Sequence, residues 1–164
     1  MHGDLVGLVH SILLETGLAP GRLELEITEG VLIEDFDRGL ALLRRLKALG
    51  VRVSMDDFGS GYSSLSYLQA FPFDKIKIDR AFVMNLGRNP QSAAIVRAVI
   101  GLGHGLEMSI VAEGVETREQ LAFLAGEGCN AVQGYLIGKP APILQYAGLV
   151  GRATGPLEPA RKAG

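Results

Sequence analysis

Residues 51–64 read V-R-V-S-M-D-D-F-G-S-G-Y-S-S, and this stretch decides the fold. Val51, Val53 and Met55 alternate with Arg52, Ser54 and Asp56, a two-residue period that specifies a β-strand. The strand runs into two adjacent carboxylates, Asp56 and Asp57. A glycine-spaced loop follows, and Ser63 or Ser64 is placed to cap a helix. Two aspartates at the mouth of a strand, beside a flexible loop, suit a hard divalent cation. An isolated Asp-Asp pair more often combines a turn cap with a solvated carboxylate, so the weight must come from the rest of the chain.

Outward from this stretch, strands and helices alternate. Asp4 to Thr16 has the apolar spacing of a helix and stops at Gly17, a natural C-terminal cap. Leu23 to Thr28 (L-E-L-E-I-T) reads as a strand, and Glu34 to Leu49 as an amphipathic helix closed by Gly50. After the Asp56 strand, a short helix is predicted from Ser63 to Ala70, ended by Pro72. Lys75 to Asp79 (K-I-K-I-D) is the next strand. Asn89-Pro90, a cap followed by a proline at the first helical position, opens a helix to about Gly103. Met108 to Glu113 is a strand, Thr117–Gln120 a capping box for a helix ending near Gly126, and Ala131 to Tyr135 a short fifth strand. Ile143 to Val150 is read as a last helix and residues 151–164 as a disordered tail. This order implies an α/β fold of parallel strands joined by helical crossovers, in one domain over residues 1–150.

Side-chain parity then indicates a site. Leu25 and Ile27, Val53 and Met55, Ile76 and Ile78, and Ile110 and Ala112 share the faces that pack against helices. The opposite faces bring Glu26, Asp56, Lys77, Glu113 and Gln133 towards a common interior near the strand C-termini. In parallel α/β sheets and barrels that end carries the active site. Charges gathered there must bind one another or an ion, because unpaired burial is prohibitive.

Composition excludes several alternatives. The 164 residues are 48% hydrophobic with a formal net charge of −2, which fits neither a polyanion binder nor a disordered chain. No membrane-spanning apolar run or signal-peptide pattern is present. Cys129 is the single cysteine, so an internal disulfide is impossible and a reducing, cytoplasmic setting is expected. The three histidines, His2, His10 and His104, have no metal-ligand spacing.

Carboxylate oxygens without His or Cys select Mg²⁺ or Mn²⁺ over zinc. Asp56 can bridge two ions, with Glu26 and Asp57 on either side. A pair of metals about 3.5–4 Å apart activates a water and stabilises the leaving oxygen of a phosphodiester. Lys77 suits orienting that water or neutralising charge on phosphate. Glu113 suits either metal binding or the role of general base.

Together, L-E-I-T-E (25–29), D-D-F-G-S-G-Y-S-S (56–64), K-I-D (77–79), E-G-V-E-T (113–117) and Q-G-Y (133–135) resemble the EAL-domain cyclic di-GMP phosphodiesterases in residues, order and spacing. The resemblance covers about Asp4 to Ile143. It implies a TIM-like (β/α) barrel of the EAL type, represented here by about five of eight strands, the C-terminal two-thirds of the domain. It further implies metal binding by Glu26, Asp56 and Asp57, with Lys77 and Glu113 at the catalytic water. Gln133, Glu116 and Pro140, with Lys139, would lie on the substrate side. Glu29 would brace the loop from Phe58 to Ser64, which in the family couples metal binding to dimer contacts. The family hydrolyses cyclic di-GMP to linear pGpG.

Two of the family's metal ligands, the Glu of Glu-Ala-Leu and an Asn on the following strand, fall outside these 164 residues. Metal binding with impaired turnover is therefore expected. A catalytically inactive module that binds the same nucleotide is the competing reading; an unrelated sugar- or phosphate-processing barrel fits the motif spacing poorly. Five strands cannot close a barrel of this kind, so its two edges lead us to expect a homo-oligomer.

Overall fold

The computed structural model describes residues 4–28, 30, 35–59, 65–146 and 148. The expectations for Glu29, for a cap at Ser63 or Ser64, for helix beyond Tyr146 and for the tail at 151–164 lie outside the described residues.

The chain begins with helix α1 (Leu5–Thr16), which buries Val6, Val9 and Leu13 and ends where Gly17, at φ 66°, turns its N–H back to the Leu13 carbonyl. A short 3₁₀ turn, Pro20–Arg22, leads into β1 (Glu24–Thr28). Helix α2 (Phe36–Ala48) is capped by Asp35, whose carboxylate accepts the Arg38 N–H at 3.1 Å. Strand β2 (Arg52–Phe58) follows, then α3 (Leu65–Ala70) and β3 (Lys75–Ile78).

Helix α4 (Arg80–Met84) is not foreseen by periodicity. At five residues it is too short to show a repeat, and its only local signal is Asp79, which caps it by accepting the Ala81 N–H at 2.6 Å. Helix α5 (Pro90–Gly105) starts at the expected Asn89-Pro90 and continues past Gly103, packing that glycine against Ile110. Strand β4 (Ser109–Ala112) precedes α6 (Arg118–Gly126), where both halves of the Thr117–Gln120 capping box form.

The last strand, β5 (Ala131–Val132), is shorter than its sequence suggests. Gln133 still extends the ladder through its N–H to the Ala112 carbonyl, but Gly134 then turns the chain. A Cβ on Gly134 would stand 2.2 Å from the Val115 carbonyl oxygen, so only glycine lets the two backbones meet. A 3₁₀ turn at Ile143–Tyr146 occupies part of the expected last helix.

All five strands are parallel, in the spatial order β1-β2-β3-β4-β5. Sequential order with one helical layer outside is the arrangement of a (β/α) barrel wall, here an incomplete barrel. Val53, Met55, Ile76, Ile78, Ile110 and Ala112 are at most 2% exposed and form the helix-facing core with Leu43, Leu46, Val96 and Leu124. The opposite strand faces carry the charged residues.

Two side chains missed by the sequence reading tie the strand N-termini together. Asp74, just before β3, accepts the Val53 N–H at 2.7 Å and holds the Lys47 ammonium at 2.6 Å. Asn130, just before β5, accepts the Ile110 N–H at 2.7 Å. Each satisfies a backbone donor on a neighbouring strand.

Candidate metal and catalytic site

The site begins with a local irregularity in β2. From Met55 to Phe58 the strand advances three residues while its neighbour advances two, from Ile76 to Ile78. Met55 and Phe58 both enter the core, at 2% and 5% exposure, which regular alternation forbids for residues three apart. The extra residue is absorbed at Asp57, whose φ of 53° lies in the left-handed region. Both aspartates are thereby left on the interior side, with the Asp57 N–H donating to Asp56 Oδ1 at 3.1 Å.

Carboxylate oxygens of Asp56, Asp57 and Glu113 come within 4.8 Å of one another. Glu113 stands just past β4, its N–H held by the Ile78 carbonyl at 3.2 Å. Burial and the neighbouring charges of Asp56 and Asp79 raise the Asp57 pKa above the usual carboxylate value, against the opposing effect of Lys77. A crowded set of oxygen donors without nitrogen or sulfur fits a hard divalent cation, which would relieve this repulsion.

Lys77 stands at the centre of the remaining charges. Its ammonium lies 2.7 Å from Glu113, 3.0 Å from Asp56 and 2.9 Å from Glu26, and its side chain is 8% exposed. Burial alone would lower the pKa of this amine. Its three carboxylate partners outweigh burial and move it well above the ordinary lysine value. Below this group Lys75 pairs with Glu24 at 2.6 Å. Both lysines reach from β3 across β2 to a glutamate on β1.

The other expected residues are placed less centrally. Gln133 is held beside β4 by its backbone, which also accepts the Val115 N–H at 3.1 Å. Glu116 is 3.7 Å from Arg80. Its N–H, with that of Thr117, is held by the Gln120 carboxamide oxygen, whose nitrogen donates to the Val83 carbonyl. Gln120 thus fastens the Glu113–Thr117 loop to α4. Pro140 is exposed, next to Lys139, whose ammonium lies 5.4 Å from the Tyr135 ring centroid.

Asp79 is the residue the sequence reading left without a role. Its carboxyl interacts with Asp57 as well as capping α4. Its position at the end of K-I-D was the available signal.

Among the described residues, a parallel barrel wall thus gathers carboxylates around a buried lysine at the strand C-termini, the end at which parallel barrels carry their active sites. A model of the EAL domain family matches residues 1–140, and the chain belongs to that family. It is 65% identical over 136 residues to an uncharacterized signaling protein of Caulobacter vibrioides, covering 83% of this chain and 17% of that protein. It is 48% identical over 144 residues to the bifunctional diguanylate cyclase/cyclic di-GMP phosphodiesterase MucR of Pseudomonas aeruginosa, covering 88% of this chain and 21% of MucR.

Among solved structures, the MucR phosphodiesterase in its c-di-GMP complex superposes with a TM-score of 0.86 at 48% identity, covering 88% of this chain and 59% of that one. Klebsiella pneumoniae BlrP1, in a manganese/c-di-GMP complex, gives a TM-score of 0.76 at 39% identity, covering 82% of this chain and 34% of that one. The chain thus spans 17–21% of the length of these curated relatives. Among the described residues, no helix is long and apolar enough to cross a membrane.

Proposed function

We propose that this chain carries the metal- and water-handling part of a cyclic di-GMP phosphodiesterase site. The observation that carries this reading is the convergence of Glu26 of β1, Asp56 of β2 and Glu113 just past β4 on Lys77 of β3. Asp56, Asp57 and Glu26 would hold divalent cations, Mg²⁺ or Mn²⁺, with the Glu113 carboxylate clustered beside those of Asp56 and Asp57. Bound there, the ions supply Lewis acidity to a phosphoryl oxygen and acidify a water.

The residues of the chain do the rest. Glu113 takes the proton of the attacking water, and Lys77 neutralises charge that develops on the phosphoryl oxygens as one phosphodiester bond opens. Gln133, Glu116 and Pro140 line the side from which the nucleotide enters. The product is the linear dinucleotide pGpG. Association with a second copy belongs to the same reading, because β1 and β5 each have a single strand neighbour among the described residues.

The test combines calorimetric titration of Mn²⁺ with chromatography of cyclic di-GMP incubations. We expect Mn²⁺ to bind wild-type protein, and Asp57→Asn to lose most of that affinity. Hydrolysis should be slow, below the roughly 1 s⁻¹ of an ordinary enzyme. Nucleotide binding without any pGpG would instead assign the chain to a sensing module. Absence of both Mn²⁺ and nucleotide binding would defeat the proposal.

A further inference from the structure

Ser54 sits on β2 between the two charged rungs that cross that strand. It is register partner to Glu26 on β1 and to Lys75 on β3, and it shares its strand face with Asp56. Its side chain is fully buried, and Oγ makes no hydrogen bond among the described residues. A buried hydroxyl without a partner is costly and uncommon. One rung, Glu24–Lys75, lies on one side of it; the other, Glu26–Lys77, lies on the other. Its small size lets both glutamates reach the lysines over β2.

A divalent cation at this site would compete with Lys77 for its carboxylates. Its ammonium occupies oxygens of Asp56 and Glu113, two of the three residues whose carboxylates cluster for a metal. A divalent cation on the same oxygens repels the ammonium, which must move away from them while remaining hydrogen-bonded. Retreat towards the Glu24 rung is opposed by the positive charge of Lys75. Between the rungs lies Ser54 Oγ, a buried group that makes no hydrogen bond among the described residues.

We propose that Ser54 is a positioning residue that supplies a second acceptor for the Lys77 ammonium when a divalent cation occupies the carboxylates. The hydroxyl therefore stabilises the cation-loaded state and contributes nothing to the metal-free state. This inference rests on the metal site proposed above, and its test separates the two.

Mn²⁺ is titrated calorimetrically into wild-type protein and into Ser54→Ala, and the melting temperature of each is measured without metal. The expected result is a Mn²⁺ affinity lower by roughly three- to tenfold in the variant, the worth of one hydrogen bond. Its metal-free melting temperature should be unchanged or slightly higher. In a Lys77→Met background, Ser54→Ala should leave Mn²⁺ affinity unaltered, because the effect acts through the ammonium. Equal affinity of Ser54→Ala and wild type would overturn the inference while leaving the metal site standing. So would a variant that loses metal-free stability at unchanged affinity, which would assign Ser54 a structural role. Wild-type protein that binds no Mn²⁺ would overturn both.

Discussion

Lys77 shows how one side chain organises a site whose other members repel. Each carboxylate facing it would be destabilised by the others, and the ammonium is their common counter-charge. Asp57 carries a pKa raised by burial, Asp56 and Asp79, with Lys77 acting in the opposite sense. A carboxyl pKa raised by neighbouring carboxylates marks a place where additional positive charge is favoured. Cys129 represents the opposite, inert case. Its sulfur lies 3.2 Å from the Ala131 carbonyl oxygen, and burial pushes its pKa up. A raised thiol pKa means less thiolate at a given pH. At pH 8 a disulfide reagent should therefore modify Cys129 more slowly in the folded protein than in urea, as followed by thiol absorbance. An equal rate in both would show that the thiol is open to solvent.

At the scale of elements, the two ends of the strands do different work. The N-terminal ends are tied by Asp74, which joins α2, β2 and β3 through Lys47 and the Val53 N–H. Replacing Asp74 by Ala leaves a buried backbone donor and a partly buried ammonium without their partner. We expect a loss of about 1–3 kcal/mol in urea-unfolding free energy, with Mn²⁺ affinity preserved in the folded fraction.

The C-terminal ends depend on closer backbone contact. Gly134 lies against both the nitrogen and the oxygen of Val115, backbone atoms that cannot rotate aside. Gly134→Ala should lower stability by on the order of 3 kcal/mol and shift the neighbouring Glu113–Thr117 loop. Amide exchange of Val115 and Leu136, whose N–H groups are held by the Gln133 and Val115 carbonyls, reports that shift. Unchanged protection there would mean that the turn adapts.

At the scale of the whole molecule, the sheet is an arc whose two outer strands, β1 and β5, each pair on one side among the described residues. Helix α1 also exposes Leu5, Leu8 and Ile12, at 42%, 57% and 47%. Their spacing puts them on one stripe of the helix that precedes β1. Unpaired strand backbone next to exposed apolar surface favours association. Sedimentation velocity at micromolar concentration is expected to give a species larger than 17.4 kDa. A cooperative, well-folded monomer across that range would mean that the edges are protected as they stand.

Period-two alternation determined the strands and their inward faces, because in a strand the side-chain direction follows from position alone. The same rule placed Glu26, Asp56 and Lys77 on one face before any geometry was known. Caps at Asn89 and Thr117, and the stop at Gly17, were legible because each satisfies backbone groups within a few residues. Helix α4 and the early end of β5 were not legible. The first is shorter than a helical repeat, and the second is set by a long-range approach to Val115. Above all, alternation by itself would send Asp57 to the face opposite Asp56. The D-D pair suggested a metal, but the bulge that turns both carboxylates inward arises from pairing between β2 and β3. Phe58 must reach the core while Ile78 keeps its register, and that competition exists only once the two strands are side by side.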